Sequence, residues 1–272
     1  DVFEHASYEA SKADITQALL DRGYFEQNLA VHEVRVTRAS QSADIRLAWD
    51  SGPRYRYGGI RFEGSSFEPG LLEQLVGFEP GQYYTQTQIN RLQESLSKLG
   101  YFSSIQIVPD LDSKSDGSVP IVVTVIPAQQ NSQYASLRYG TETGFGVQYG
   151  IERRWINARG HKINLDLSYA QYERSVTALY RIPAFGWLDG WYGFGFTARE
   201  EDFFNAPFNY FEVFGNRSGE YRGWDLSAAL KLRRERFDGA IPDFDPGASV
   251  AVYTSTLYPE LKGFWRSSTD NY

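Results

Sequence analysis

Residues 144–172 read GFGVQYGIERRW (144–155), INARG (156–160) and HKINLDLSYAQY (161–172). In the first run Phe145, Val147, Tyr149 and Ile151 fall on one parity, with Gln148, Glu152 and Arg154 on the other. In the last run Ile163, Leu165, Leu167 and Tyr169 alternate with Lys162, Asn164, Asp166 and Ser168. Successive side chains of a strand point to opposite faces, so a period of two sorts apolar and polar groups onto separate faces. Asn157-Ala158-Arg159-Gly160 supplies turn chemistry, with Gly160 free to take a positive φ. The stretch predicts a β-hairpin with one apolar and one polar face. Such an apolar face lies on a protein core in a soluble sandwich or barrel, or on lipid in a transmembrane barrel with a polar lumen. The hairpin alone leaves both readings open.

The surrounding chain extends the pattern. From Tyr134 onward the helical signal stops, and β-like runs cover 134–139, 145–155, 161–172, 175–182, 191–198, 208–214, 224–233 and 249–257. Val176, Ala178, Tyr180 and Ile182 alternate with Ser175, Thr177 and Arg181, and Leu226 and Leu230 alternate with Asp225, Ser227 and Lys231. These eight runs approach the roughly 9–11 residues that cross a bilayer as a tilted strand. Short turns near Asn157 and Tyr172 contrast with polar segments at 200–205 and 238–246, which read as longer loops. Aromatics make up 16% of the chain, with 19 Tyr, an excess that suits barrel girdles and ordinary β proteins alike.

Composition narrows the class. The 272 residues carry a formal charge of −7, and no basic stripe with interleaved aromatics points to nucleic acid. There is no Cys, hence no disulfide framework and no thiolate metal site. No apolar run approaches the roughly 20 residues of a membrane helix. The N-terminus lacks the charged-then-apolar pattern of a signal peptide, so the chain is expected to have lost one or to begin inside a longer protein.

The first 130 residues follow a different grammar. Residues 11–25 read as a helix, with Ser11 and Asp14 as a capping arrangement and Gly23 as the stop. Tyr24-Phe25 and β-like runs at 30–36 and 43–49 follow. Later, Thr85 and Gln88 form a capping box, Ile89, Leu92, Leu96 and Leu99 a helical stripe, and Gly100 the stop. Tyr101-Phe102 and two more β-like runs come next. Gly23 and Gly100 are 77 positions apart, and at that offset Ile15 falls on Leu92 and Leu19 on Leu96. This is an internal repeat of a small α/β module. The second copy reads β-α-α-β-β, with a strand at 55–62 and a short helix at 70–76. The first lacks its opening strand and first helix, so the sequence is expected to begin in the middle of a domain.

The residues 52–64, GPRYRYGGIRFEG, resemble the opening strand of a POTRA domain, the periplasmic module of outer-membrane assembly proteins. The two Gly-Tyr-Phe steps fit the same module. Trp155-Ile156-Asn157-Ala158-Arg159-Gly160-His161 and Tyr180-Arg181-Ile182-Pro183 resemble an early turn and a later strand end of the attached barrels. The chain is similar to the TamA-like family, in the superfamily that includes BamA and the two-partner secretion transporters. The resemblance implies α+β POTRA repeats followed by an antiparallel transmembrane β-barrel, of which about eight strands of sixteen are present. The domains expected are 1–52 and 53–130, both POTRA, and 131–272, the first half of the barrel. Tyr272 is aromatic, but Ser268 and Asp270 on its parity are polar, unlike a closing barrel strand, so the chain reads as cut in mid-barrel.

No residue set suggests catalysis. His5, His32 and His161 are scattered, no helix follows Gly144-Phe145-Gly146 as a phosphate loop needs, and no nucleophile motif is present. The expectation is a non-enzyme without cofactor or metal. Glu152-Arg153-Arg154 reads as a solvated face with ion pairs rather than as a functional cluster.

The resemblance implies a subunit that assembles barrel proteins and autotransporters. Its POTRA domains hold nascent polypeptides, and its first strand opens laterally to template theirs by β-augmentation. Tyr134, Ser136, Leu137, Arg138 and Tyr139 are the expected gate strand, short and poorly alternating. Phe145, Val147, Tyr149, Ile151, Ile163, Leu165, Leu167, Tyr169, Tyr180, Leu226 and Leu230 are expected to face outer-membrane lipid. Gln148, Glu152, Arg154, Asn164, Asp166 and Lys231 are expected to face the lumen. The expected partners are nascent outer-membrane or autotransporter polypeptides, a TamB-like inner-membrane protein and lipid, with no nucleic acid. A two-partner secretion transporter is the alternative. A plain structural β-protein is a third, and the 77-residue repeat argues against it.

Overall fold

The computed structural model describes residues 4–37, 39, 42–186, 188–203, 206–240 and 249–265. They form two units: Asp1–Ser65 with Leu75–Ala128, and Ser66–Gln74 with Gln129–Tyr272.

In the first unit the helix α1 (His5–Leu20) precedes an antiparallel pair, β1 (Asn28–Thr37) and β2 (Ser42–Asp50). The helix starts six residues before Ser11, whose hydroxyl donates to the Ser7 carbonyl at 2.8 Å inside it. Ser11 is therefore no cap. The second copy contains β3 (Arg56–Glu63), a 3-10 turn at Glu73–Leu75, α2 (Gln86–Leu99), β4 (Phe102–Pro109) and β5 (Ser118–Pro127). Its sheet has the order β3-β5-β4, with β3 parallel and β4 antiparallel to β5. The helix expected at 70–76 shrinks to the 3-10 turn.

The stripe Ile89, Leu92, Leu96 and Leu99 is fully buried, and each such side chain contributes about 1.5–3 kcal/mol. Val119, Ile121, Val123 and Val125, at alternate positions of β5, are buried as well. Gly100 ends α2 with φ +66, in the left-handed region. The start of α2 is built differently from a capping box. Thr85 takes the N-cap position without a side-chain bond. Instead the Tyr57 hydroxyl accepts the Thr85 amide at 3.0 Å and donates to the Thr85 carbonyl at 2.7 Å. In contrast to α2, α1 buries none of its residues.

The second unit holds one antiparallel sheet of eight described strands. They are β6 (Asn131–Gly140), β7 (Gly144–Arg153), β8 (Lys162–Ala170), β9 (Glu173–Ala184), β10 (Asp189–Phe203), β11 (Ala206–Tyr221), β12 (Trp224–Ala240) and β13 (Ser249–Trp265). Each pairs with its neighbours in sequence, so the order is β13 through β6. The segment 200–203, read as loop, is the end of β10, paired with β11 through Phe203↔Ala206. Likewise 238–240 belongs to β12. The remainder of the second expected loop, and Ser268, Asp270 and Tyr272, lie outside the described residues.

Residues 66–74 group with this sheet rather than with the module that surrounds them in sequence. The Glu68 amide donates to the Ala158 carbonyl at 2.9 Å, and Phe67 packs edge-on against Trp155 at 5.9 Å. The turn they meet is closed by Asn157, whose side-chain oxygen accepts the amides of Arg159 and His161 at 3.1 Å each. No helix among the described residues is long and apolar enough to cross a membrane.

Candidate membrane face and pairing edge

The eight strands present two chemically distinct faces. One outward row, read across the ladders, runs Tyr149, Leu167, Val176, Ala198, Phe211 and Arg234. The row beyond it, toward the β7–β8 turn, runs Ile151, Leu165, Ala178, Phe196, Val213, Leu232 and Leu257. Among these, Phe196, Val213, Leu232 and Leu257 are exposed, as are Phe145, Val147, Tyr149, Ile163, Leu167, Tyr169 and Leu230 elsewhere on the face. Ile151, Leu165, Tyr180 and Leu226 share the face but are half-buried. Monomeric soluble proteins rarely leave so continuous an apolar surface open.

The apolar band does not follow the pairing rows. On β7 it reaches up to Phe145, two rows above the Tyr149 row, and on β12 it stops at Leu232, one row below, where Arg234 begins. Its lower limit moves the same way, from Ile151 with Arg153 beyond it to Trp224. The upper limit thus falls by about six residues, or ~20 Å of strand, across five strand steps of ~24 Å. The band crosses the hydrogen-bonding direction at about 40°, within the tilt of strands in membrane barrels.

The opposite face carries ions in pairs. Gln148, Glu152, Asn164, Asp166 and Lys231 all lie on it, and Arg154, just past the end of β7, meets Glu152 at 4.0 Å. Arg153 points to the apolar face, so Glu152-Arg153-Arg154 is not one cluster. Glu152 also meets Arg181 at 3.7 Å, and Arg181 donates to the Asn164 side chain at 2.6 Å. Lys231 lies 3.9 Å from Glu212 and 3.1 Å from Glu260. Buried carboxylates are costly unless paired, and the two that are buried among the described residues are paired. Glu212 accepts from Arg233 at 2.8 Å and from the Tyr258 hydroxyl. Glu173 accepts from Arg138 at 2.8 Å and from Arg199 at 2.9 Å. The sequence reading missed Glu173 and Arg199, because they lay just outside the runs expected at 175–182 and 191–198. Their parity within β9 and β10 was the available signal.

The expected gate strand is longer than the alternation suggested. β6 pairs with β7 over its full length, from Asn131↔Arg153 to Gly140↔Gly144. Leu137 and Tyr139 are exposed on the apolar face, while Tyr134, Ser136 and Arg138 share the polar one. Tyr134, Ser136 and Arg138 thus alternate with Ala135, Leu137 and Tyr139, and the strand is not the poorly alternating one expected. Among the described residues β6 is one end strand of the sheet and β13 the other.

His161 sits in the β7–β8 turn, with Nδ1 2.5 Å from the Tyr180 hydroxyl. Partial burial, then the nearby Arg159 charge, hold its imidazole below the ordinary value against the pull of Glu68. His5 lies in α1 and His32 in β1, so the three do not converge.

Residues 55–127 match the POTRA family, described as a surface antigen variable number repeat. The outer membrane protein assembly factor BamA of Buchnera aphidicola subsp. Acyrthosiphon pisum is 21% identical over 184 residues, 65% of this chain and 30% of that protein. BamA of Neisseria meningitidis serogroup B is 22% identical over 135 residues, 47% of this chain and 17% of that protein. The chain therefore spans less than a third of either relative. The crystal structure of BamA from Haemophilus ducreyi lacking POTRA domains 1–3 superposes with a TM-score of 0.79 at 15% identity, over 100% of this chain and 55% of that one. At these identities the likeness establishes fold: POTRA strands followed by part of a BamA-type barrel sheet. Residues 55–127 thus match a POTRA domain, and the sheet after them has the fold of part of a BamA-type barrel.

Proposed function

We propose that this chain is part of an outer-membrane subunit that assembles other membrane β-proteins, with its POTRA modules in the periplasm and its sheet in lipid. The observation that carries this reading is the tilted, exposed apolar band on the sheet that follows the POTRA module. In a bilayer every backbone polar group needs a protein partner, so an unpaired edge at membrane depth is a strong template for an incoming strand. The POTRA sheet supplies a second edge at β4 in the aqueous compartment, where an extended polypeptide adds by the same backbone bonds. No nucleotide motif is needed, because strand pairing and burial in lipid supply the free energy.

Within the superfamily the reading is a TamA-like subunit acting on nascent outer-membrane or autotransporter polypeptides, with a TamB-like inner-membrane partner. The tilted band, Phe145 to Ile151 on β7 and Trp224 to Leu232 on β12, contacts lipid. The polar face, with Asn164, Asp166 and Lys231, lines the lumen. A cysteine at Leu137 in the full-length protein is expected to crosslink to a nascent barrel client stalled in assembly. Crosslinks that form only from Asp166 or Lys231 would replace templating with passage through the lumen, as in a two-partner secretion transporter.

A further inference from the structure

We infer that Tyr134 and Arg138 are positioning residues of the β6 edge, two polar-face arms that latch this strand to β8 and β9 and set how readily it leaves β7. The role of the latch rests on the templating reading above; the latch itself rests on geometry.

The two arms share one construction. Tyr134 is paired with Gly150, and Gly150 with Asp166. A Cβ on Gly150 would come within 2.1 Å of the Tyr134 ring. The ring therefore lies flat across β7, and its hydroxyl donates to the Asp166 carboxylate on β8. Arg138 is paired with Gly146, and Gly146 with Ala170, three residues before Glu173. The guanidinium crosses these small residues, donating to the Ser168 hydroxyl on β8 and to Glu173 on β9 at 2.8 Å. Gly146 and Gly150 thus make a low floor on the polar face of β7. The backbone ladder of β6 and the bond from the Tyr149 hydroxyl to the Gln133 side chain at 3.0 Å stop at β7, whereas these two arms reach past it.

The charge arrangement explains why one arm can let go. Glu173 is 7% exposed at its side chain and holds two arginines, Arg138 from β6 and Arg199 from β10. Stranding a buried carboxylate without a cation is strongly unfavourable. With Arg199 in place, Arg138 can withdraw and Glu173 remains compensated. The cation on the edge strand is the dispensable one, so the latch opens without disrupting the wall behind it.

The test is amide hydrogen exchange of the full-length protein in phosphatidylcholine bilayers. In the double variant Tyr134→Phe, Arg138→Gln, exchange of residues 131–140 is expected to accelerate about tenfold or more, as loss of a charge-assisted bond implies. Exchange in β8 and β9 should stay at its wild-type rate. Arg138→Lys, which keeps a cation over the floor, should retain slow exchange, and Gly150→Ala, which displaces the Tyr134 ring, should accelerate it. Unchanged exchange at 131–140, or an equal rise through β8 and β9, overturns the latch. If β6 loosens as expected but crosslinking from Leu137 to a client does not rise, the latch stands and the templating reading falls.

Discussion

Single residues carry the electrostatics of the first unit. The Lys114 ammonium and the Tyr55 hydroxyl both bond the Glu26 carboxylate, linking the segment after α1 to the second copy. Those bonds, Lys114 first, hold the Glu26 carboxyl below its ordinary value. A carboxyl depressed in the folded state favours folding above the unfolded carboxylate range, and that contribution fades as pH falls through the folded pKa. Carboxyl NMR is expected to show Glu26 titrating below a free glutamate, and Lys114→Ala to return it upward. An unmoved titration in that variant would remove the link. Leu96, fully buried under the POTRA sheet, is expected to cost about 2–5 kcal/mol as Leu96→Ala, read from the urea midpoint of this unit. Its role was legible in the sequence, since Ile89, Leu92, Leu96 and Leu99 recur at helical spacing. The Tyr57 hydroxyl at the start of α2 was not, because 28 residues separate it from Thr85.

At the scale of elements, parity assigns each strand its faces. Leu230 is exposed in the apolar band of β12, and its neighbour Lys231 faces the ions of the other side. In the proposed membrane placement, Leu230→Arg puts a cation inside the apolar layer, at a cost between about 1 and 4 kcal/mol. The folded, heat-modifiable fraction in outer membranes is expected to drop for Leu230→Arg and to hold for Lys231→Arg. Equal tolerance of the two would mean that the band meets water or protein instead of lipid. The strands were readable from period two, but their ends were not. Glu200, Glu201 and Asp202 look like loop, yet they pair with 207–209 on β11. A ladder accepts charged side chains on either face once it leaves the apolar layer. The tight β11–β12 turn is a comparable case, with Arg222 at φ +50 and Gly223 at φ +80, both in the left-handed region that two-residue hairpins require.

Over the whole sheet the tilt makes a prediction that no single strand contains. Tyr169 and Arg236 stand in one pairing row, through Arg174, Glu200 and Asn209. Four strand steps at about 40° separate them in depth by ~12 Å. Spin labels on the full-length protein in bilayers are expected to place position 169 among lipid and position 236 in water. Phe145 and Leu232, three rows apart, should report the same depth. Equal depth along the row would rule out a tilted membrane sheet. The rows themselves came from pairing registers, while the band came from hydropathy, and the angle appears only when the two are combined.

The sequence by itself determined which residues alternate, where helices stop and which module repeats, because these follow from backbone periods and from glycines that tolerate left-handed turns. It also placed Asp166 and Leu165 on opposite faces before any partner was known. Only the tertiary structure decided that Arg138 reaches Glu173 across Gly146 and Ala170, and that residues 66–74 join the turn at Ala158. The reason is physical: a period of two tells a side chain which face it occupies, whereas its contacts depend on which strands lie alongside and in what register, and that is fixed by pairing across the whole sheet.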